Sequence, residues 1–339
     1  MTSNREYKWV PGYEFPLDAI ERMQNRFLMP PVPMGEAWFI GKERHLYTEL
    51  IEQPFSEIEA SHLSVQILFE LTSGTFSFGH MDEWDQWFKY LLPHLILRSH
   101  EGFFFDNLLL QSAVTSFMSI YWRGIPDEYP GFRDDVIDTL SLCLMNKELW
   151  FDHRDGKTLR TCPRARFLES YPNGQNQLVL GWNSAQTEAS LSSMMFFCIK
   201  YLNDDEIRSW VKSLFEIDDV YWKGALSVWL LGALDMLRLP IVTPKAIDKA
   251  NPKLEWDNSH VLIFSDDSDD FFEPAVIDFN KTIDFLPSEN TKLFLDEVQK
   301  YLTDELIVEW ADLFSTDEFV IQSTYTVPES LMDKLSKLD

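Results

Sequence analysis

Residues 203–240 read NDDEIRSWVKSLFEIDDVYWKGALSVWLLGALDMLRLP, and this stretch decides the fold class. Asn203 is placed to accept a hydrogen bond from a first-turn N–H, Glu206 to reach back to the Asn203 backbone, and Asp204 and Asp205 to meet the positive end of a helix dipole. Ile207, Trp210, Val211 and Leu214 then recur at helical spacing on one face. After Asp218 and Asp219 a second helix is expected to bury Tyr221, Ala225, Val228, Trp229, Gly232, Leu234 and Leu237, and Pro240 ends it. Glu188 to Leu202 reads as the preceding helix, so three consecutive antiparallel helices on short turns are predicted.

The rest of the chain carries the same bias. Leu outnumbers Val by 42 to 16 among 339 residues and there are only 13 Gly, a balance that favours helix because unbranched side chains lose less rotamer freedom there. Tyr201, Leu202, Asp204, Ile207 and Trp210 recur as Tyr301, Leu302, Asp304, Ile307 and Trp310, with Phe314 answering Leu214. Asp82, Trp84, Trp87, Phe88 and Leu91 open a similar helix, followed by a long amphipathic one from Phe103 to Trp122. Tyr121-Trp122-Arg123-Gly124 echoes Tyr221-Trp222-Lys223-Gly224, although its distance from the tryptophan helix differs between the copies. The expected fold is therefore mainly α, irregular stacked antiparallel helix pairs forming an α-solenoid-like array or a bundle, with a small mixed α/β C-terminal part.

Three parts are expected along the chain. Residues 1–56 hold an N-terminal strap and first helix, because Pro16, Pro30, Pro31 and Pro33 favour extended backbone over the first forty residues. Residues 57–250 form the helical body. Residues 251–339 form an acidic C-terminal subdomain in which Val261–Phe264, Ala275–Phe279 and Phe319–Val327 have the β-branched and aromatic content of short strands.

Charge narrows the function. The chain has 29 Lys and Arg against 55 Asp and Glu, a formal charge of -26, which repels phosphate backbones and anionic lipid surfaces. Neither a nucleic acid nor a membrane is expected as partner. Residues 254–339 hold 21 acidic and 5 basic side chains, and no Arg follows Arg238. The opposite bias occurs from His153 to Arg166, where five Arg and Lys face Asp155 alone; this stretch is expected to fold against an acidic face or to hold an anion through arginine forks.

Compartment follows from the start and the thiols. Met1 to Phe15 carries Arg5, Glu6, Lys8 and Glu14 and lacks the apolar run of a secretory signal, and Ala225–Leu234 is about half of the ~20 residues needed to span a bilayer. Cys143, Cys162 and Cys198 are odd in number and never paired as Cys-x-x-Cys, so reduced thiols in a cytoplasmic protein are expected.

Chemical signatures are sparse. Asp266, Asp267, Asp269 and Asp270 surround Ser268, but an EF-hand calcium loop counted from Asp266 needs Gly where Phe271 stands and Glu where Ile277 stands. His80, Asp82, His94 and His100 lack the spacing of a zinc site. There is no Gly-x-Ser-x-Gly elbow, no phosphate loop and no dinucleotide-binding glycine turn; Thr72 to Gly79 reads as a connecting loop. No metal, cofactor or catalytic residue is expected.

Two function classes fit. The first is a non-enzymatic acidic protein that neutralises a basic protein partner, an immunity or inhibitor protein for a toxin or nuclease domain, presenting carboxylates where substrate phosphates would lie. Its expected contact surface is Trp256, Asp266, Asp267, Asp269, Asp270, Phe271, Phe272 and Glu273, aromatic anchors within a charged rim. The alternative is a carbohydrate-active enzyme on an α/α toroid, with paired carboxylates sought among Asp82, Glu83, Asp85, Asp134 and Asp135.

Overall fold

The computed structural model describes residues 15–28, 81–100, 114–118, 120–141, 151–152, 159–160, 167–170, 176–179, 189–249, 284–317, 320–321 and 324–336. These are mainly helical. They fall into two compact units, one containing the described residues up to 141 and the other containing those from 151 onward.

In the first unit, α1 (Leu17–Arg26) starts directly after Pro16 and buries Ala19, Ile20 and Met23 on one face. The proline precedes the helix instead of breaking it, so this part of the expected strap is helical. Next comes α2 (Met81–His100), which buries Phe88, Leu91, Leu92, Leu95 and Ile96 and packs on α1. A helical segment at 114–118 buries Val114, Phe117 and Met118, and a turn at 121–123 closes at Gly124, whose N–H donates to Tyr121 O and whose φ of 121° no side chain adopts comfortably. The short α3 (Phe132–Val136) continues into a π-helical turn at Ile137–Ser141 and packs on α1.

The second unit opens with two short antiparallel pairs, β1 (Phe151–Asp152) with β2 (Leu159–Arg160) and β3 (Phe167–Ser170) with β4 (Asn176–Val179). Helices follow: α4 (Ala189–Tyr201), α5 (Asp204–Glu216), α6 (Val220–Leu237), α7 (Pro244–Lys249), α8 (Ser288–Tyr301), α9 (Asp304–Phe314) and α10 (Val327–Leu335).

The capping box expected at Asn203 is present. Its side chain accepts from the Glu206 N–H at 3.0 Å, and Glu206 accepts from the Asn203 N–H at 2.9 Å. Ile207, Trp210, Val211 and Leu214 are buried, and α5 lies along α8 with Trp210 5.6 Å from the Phe294 ring. By contrast, α6 is not one-faced: Trp222, Ala225, Leu226, Val228, Trp229, Leu230, Ala233, Leu234 and Leu237 are all buried. A helix apolar all round needs neighbours on several sides, and α6 packs against α8, α9 and α10. Gly224 lets it come close, since a Cβ there would stand 3.1 Å from a Val320 methyl.

The hundred-residue echo is structural. Two-residue links, Leu202-Asn203 and Leu302-Thr303, join α4 to α5 and α8 to α9; Leu202 and Leu302, Ile207 and Ile307, and Trp210 and Trp310 are each buried. Asn203 and Thr303 both cap from extended backbone. The Tyr-Trp-basic-Gly echo, in contrast, is sequence only. Gly124 terminates a helical turn at positive φ while Gly224 lies inside α6, and Trp122 is half-buried under the Arg123 guanidinium while the buried Trp222 donates its indole N–H to Leu214 O at 2.9 Å.

In the C-terminal part the described residues are helical. Val320, Ile321 and Thr324, expected in a strand, lie in helical turns, and Val327 opens α10. The Asp317 carboxylate accepts from the Val320 N–H at 3.0 Å and starts the turn, and the Thr324 hydroxyl donates to Val320 O at 2.7 Å; these local bonds override the β-type composition. An antiparallel bridge between Val242 and Leu286 is present; Val261–Phe264 and Ala275–Phe279 lie outside the described residues.

Candidate functional site

The expected contact residues Trp256, Asp266, Asp267, Asp269, Asp270, Phe271, Phe272 and Glu273 lie outside the described residues, as do the side chains of His153 to Arg166 and of Asp82, Glu83 and Asp85. Asp134 is exposed. Asp135 is buried, and its carboxylate is occupied: Arg22 donates from Nε at 3.0 and 3.1 Å and from Nη2 at 2.6 Å, and the Tyr129 hydroxyl donates at 2.6 Å. It pins α1 to α3. A carboxylate so held has no oxygen left for a substrate, which corrects its place among the sugar-cleaving candidates. Burial and the Asp135 charge push the Tyr129 phenol well above its ordinary value.

His94 is likewise structural, 3.3 Å from the Gln24 amide with its ring edge-on to Tyr90. Cys198 is a buried free thiol inside α4, and burial drives its pKa far up, so it fills core. Among the described residues no helix is long and apolar enough to cross a membrane, and no three His, Cys, Asp or Glu side chains are grouped to hold a metal.

Two features of the second unit remain. The first is the outer face of α9, where Asp304, Glu305, Glu309 and Asp312 are exposed around Val308. Residues 301–333 contain eight carboxylates and no Lys or Arg. None of the four α9 carboxylates has an ion-pair partner among the described residues. Other carboxylates of the unit are paired, Asp205 with Arg208 at 3.0 Å, Glu216 with Lys212 at 3.5 Å and Asp218 with Lys223 at 2.8 Å, while Glu289, Asp296 and Glu329, like the α9 set, have no ion-pair partner among the described residues. Backbone N–H bonding at the start of α9 and the Thr303 hydroxyl hold the Glu305 carboxyl below its ordinary value, so it stays charged.

The second feature is a cavity of about 350 Å³ between the end of α6, α8 and α10. Leu234, Leu237, Leu295 and Leu335 give it apolar walls, and Arg238 and Lys292 supply cations. Arg238 Nη1 is 3.7 Å from Asp235, whose carboxylate accepts from Lys334 Nζ. Arg238 Nε and Nη2 are buried and have no hydrogen-bond partner among the described residues. No spaced motif marks this site; the one sequence signal is that Arg238 is the last arginine, at the polar end of an otherwise apolar run.

Lys200 is a further buried charged side chain. Its ammonium donates to the Phe285 carbonyl and lies 4.5 Å from the Phe285 ring, and burial lowers its pKa to about 7, against the opposing pull of Asp284. Asn290 Nδ2 donates to the Ile199 and Leu202 carbonyls at 2.8 and 3.1 Å, so both side chains tie the end of α4 to the segment entering α8.

Comparison with protein-family models, with curated proteins and with solved structures finds no match to this chain.

Proposed function

We propose that this chain works in the cytosol by docking a basic protein, and that neutralising a toxin or nuclease domain is the role this surface serves. The observation that carries the proposal is the α9 face: four exposed carboxylates without counter-ions among the described residues, in a stretch of 33 residues that has no cation at all. Like charges left unmatched on one face repel each other, so the arrangement is relieved when a cationic surface covers it. Such a field also speeds encounter, while lasting affinity needs a desolvated anchor, and Val308 within the α9 face fills that part of the proposal.

The test uses charge reversal. Glu305→Lys, Glu309→Lys and Asp312→Lys change exposed side chains and are expected to leave the melting temperature within a few degrees. Proteins recovered from the native cytosol on the unaltered chain and lost on the triple variant are expected to be basic, and their association is expected to slow steeply with salt. Replacing Asp266, Asp267, Asp269 and Asp270 by Asn is expected to slow association further. A partner that binds the triple variant unchanged, at a rate insensitive to salt, overturns the proposal.

A further inference from the structure

The cavity at the end of α6 supports an inference independent of the acidic face. We infer that it is a binding site for a small monoanionic carboxylate carrying a hydrocarbon body, with Arg238 as the residue that receives the carboxylate. Nε and Nη2 form one edge of the guanidinium, the edge that takes both oxygens of a carboxylate in parallel bonds. Among the described residues that whole edge has no acceptor, while Nη1 on the other edge faces Asp235 at 3.7 Å. Asp235 does not supply the missing acceptor: its Oδ1 stands 3.7 Å from Nη1, and its Oδ2 accepts from Lys334 Nζ. Buried N–H groups of a cation are costly to leave unbonded, so an acceptor that reaches them binds with a gain that no protein group here supplies.

Neither nitrogen touches solvent, so receiving the ligand requires Arg238 to turn its fork toward the cavity it lines. The side chain is about a quarter exposed, and its ion pair among the described residues is the long one to Asp235, which leaves it free to do so.

The lining selects the ligand. Its charged members are Arg238, Lys292 and Asp296, a net of one positive charge, which suits one negative charge and opposes two. The leucine walls favour a hydrocarbon body over a fully polar anion, and 350 Å³ lies at the small end of ligand pockets, roughly 300–1,000 Å³.

Calorimetric titration of the full chain with octanoate, octanamide and inorganic phosphate tests this. Saturable octanoate binding is expected, roughly tenfold or more tighter than octanamide or phosphate, accompanied by a shift of one arginine Nε–H resonance. Arg238→Gln is expected to bring octanoate down to the level of octanamide, and Arg238→Lys, which keeps the charge and loses the fork, to recover only part of the difference. Lys292→Glu alters an exposed residue that bears no part of the core and is expected to weaken octanoate several-fold, so the inference is tested even if the arginine variants fold poorly. Absence of saturable octanoate binding below ~10 mM overturns the inference. So does octanamide or phosphate binding as tightly as octanoate, or octanoate binding that all these variants leave unchanged.

Discussion

Trp210 and Lys200 show how differently two buried side chains contribute. Trp210 is fully buried against Phe294, and its indole N–H has no acceptor among the described residues, so its contribution comes from packed ring area. Trp210→Ala is expected to destabilise the protein by about 3–5 kcal/mol in urea unfolding, and Trp210→Phe, which keeps a ring and removes the unbonded N–H, by less than half of that. For Lys200 the consequence is a pH dependence. Its native pKa of about 7 lies below the ordinary 10.5. Below pH 7 both native and unfolded chains carry the proton and the cost of the buried charge is complete. Between about 7 and 10.5 the unfolded chain still holds the proton while the native one has shed it, so this group makes stability rise with pH, by roughly 3–5 kcal/mol over the window. Urea midpoints measured at several pH values are expected to climb more steeply for the wild type than for Lys200→Met; parallel curves would show that the ammonium is solvated.

At the scale of elements, the two linked helix pairs make an internal comparison. Asn203 and Thr303 occupy the same position, but Asn203 bonds its helix at 3.0 Å and is answered by Glu206, whereas the Thr303 hydroxyl stands 3.3 Å from the Leu306 N–H and Leu306 cannot reach back. Asn203→Ala is expected to cost about 1 kcal/mol, and Thr303→Ala less, as read from denaturation midpoints. Equal losses would mean that the reciprocal bond of Glu206 contributes nothing. The pairs also differ in surroundings: α5 lies along α8, while α9 packs on α6 and α10, so Phe215 of α5 stacks between Tyr301 and Trp310 at 5.4 and 5.8 Å. Similar sequence thus yields similar elements in unlike environments.

For the whole molecule the governing quantity is the charge of -26. Ion pairs such as Asp205 with Arg208 relieve it locally, but carboxylates exceed cations nearly two to one, so the native state works against its own field. Raising salt from about 10 to about 100 mM shortens the Debye length from roughly 30 to 10 Å, and the melting temperature is expected to rise across that range. The triple reversal on α9 removes six of the excess negative charges and is expected to flatten the rise. A melting temperature that falls with salt would mean that matched surface pairs outweigh the net repulsion.

Local signals were sufficient for the helical class, the start of α5 and the buried face of Ile207, Trp210 and Leu214, because capping and 3.6-residue periodicity act within a few residues and are written in adjacent positions. They also carried the correspondence of Tyr201–Trp210 with Tyr301–Trp310. Three outcomes depended on neighbours distant in sequence. The turn that the local Asp317 bond starts at Val320 is seated against Gly224, far away in sequence. The burial of α6 on several sides required α8, α9 and α10 to come against it. The unbonded edge of Arg238 and the cavity beside it exist only where the end of α6 meets α8 and α10, with Asp235 facing Nη1 and not that edge. Short-range bonds and periodicity choose an element's type, whereas burial, ion pairing and cavities are set by which elements the folded chain brings together, and that was decided only in three dimensions.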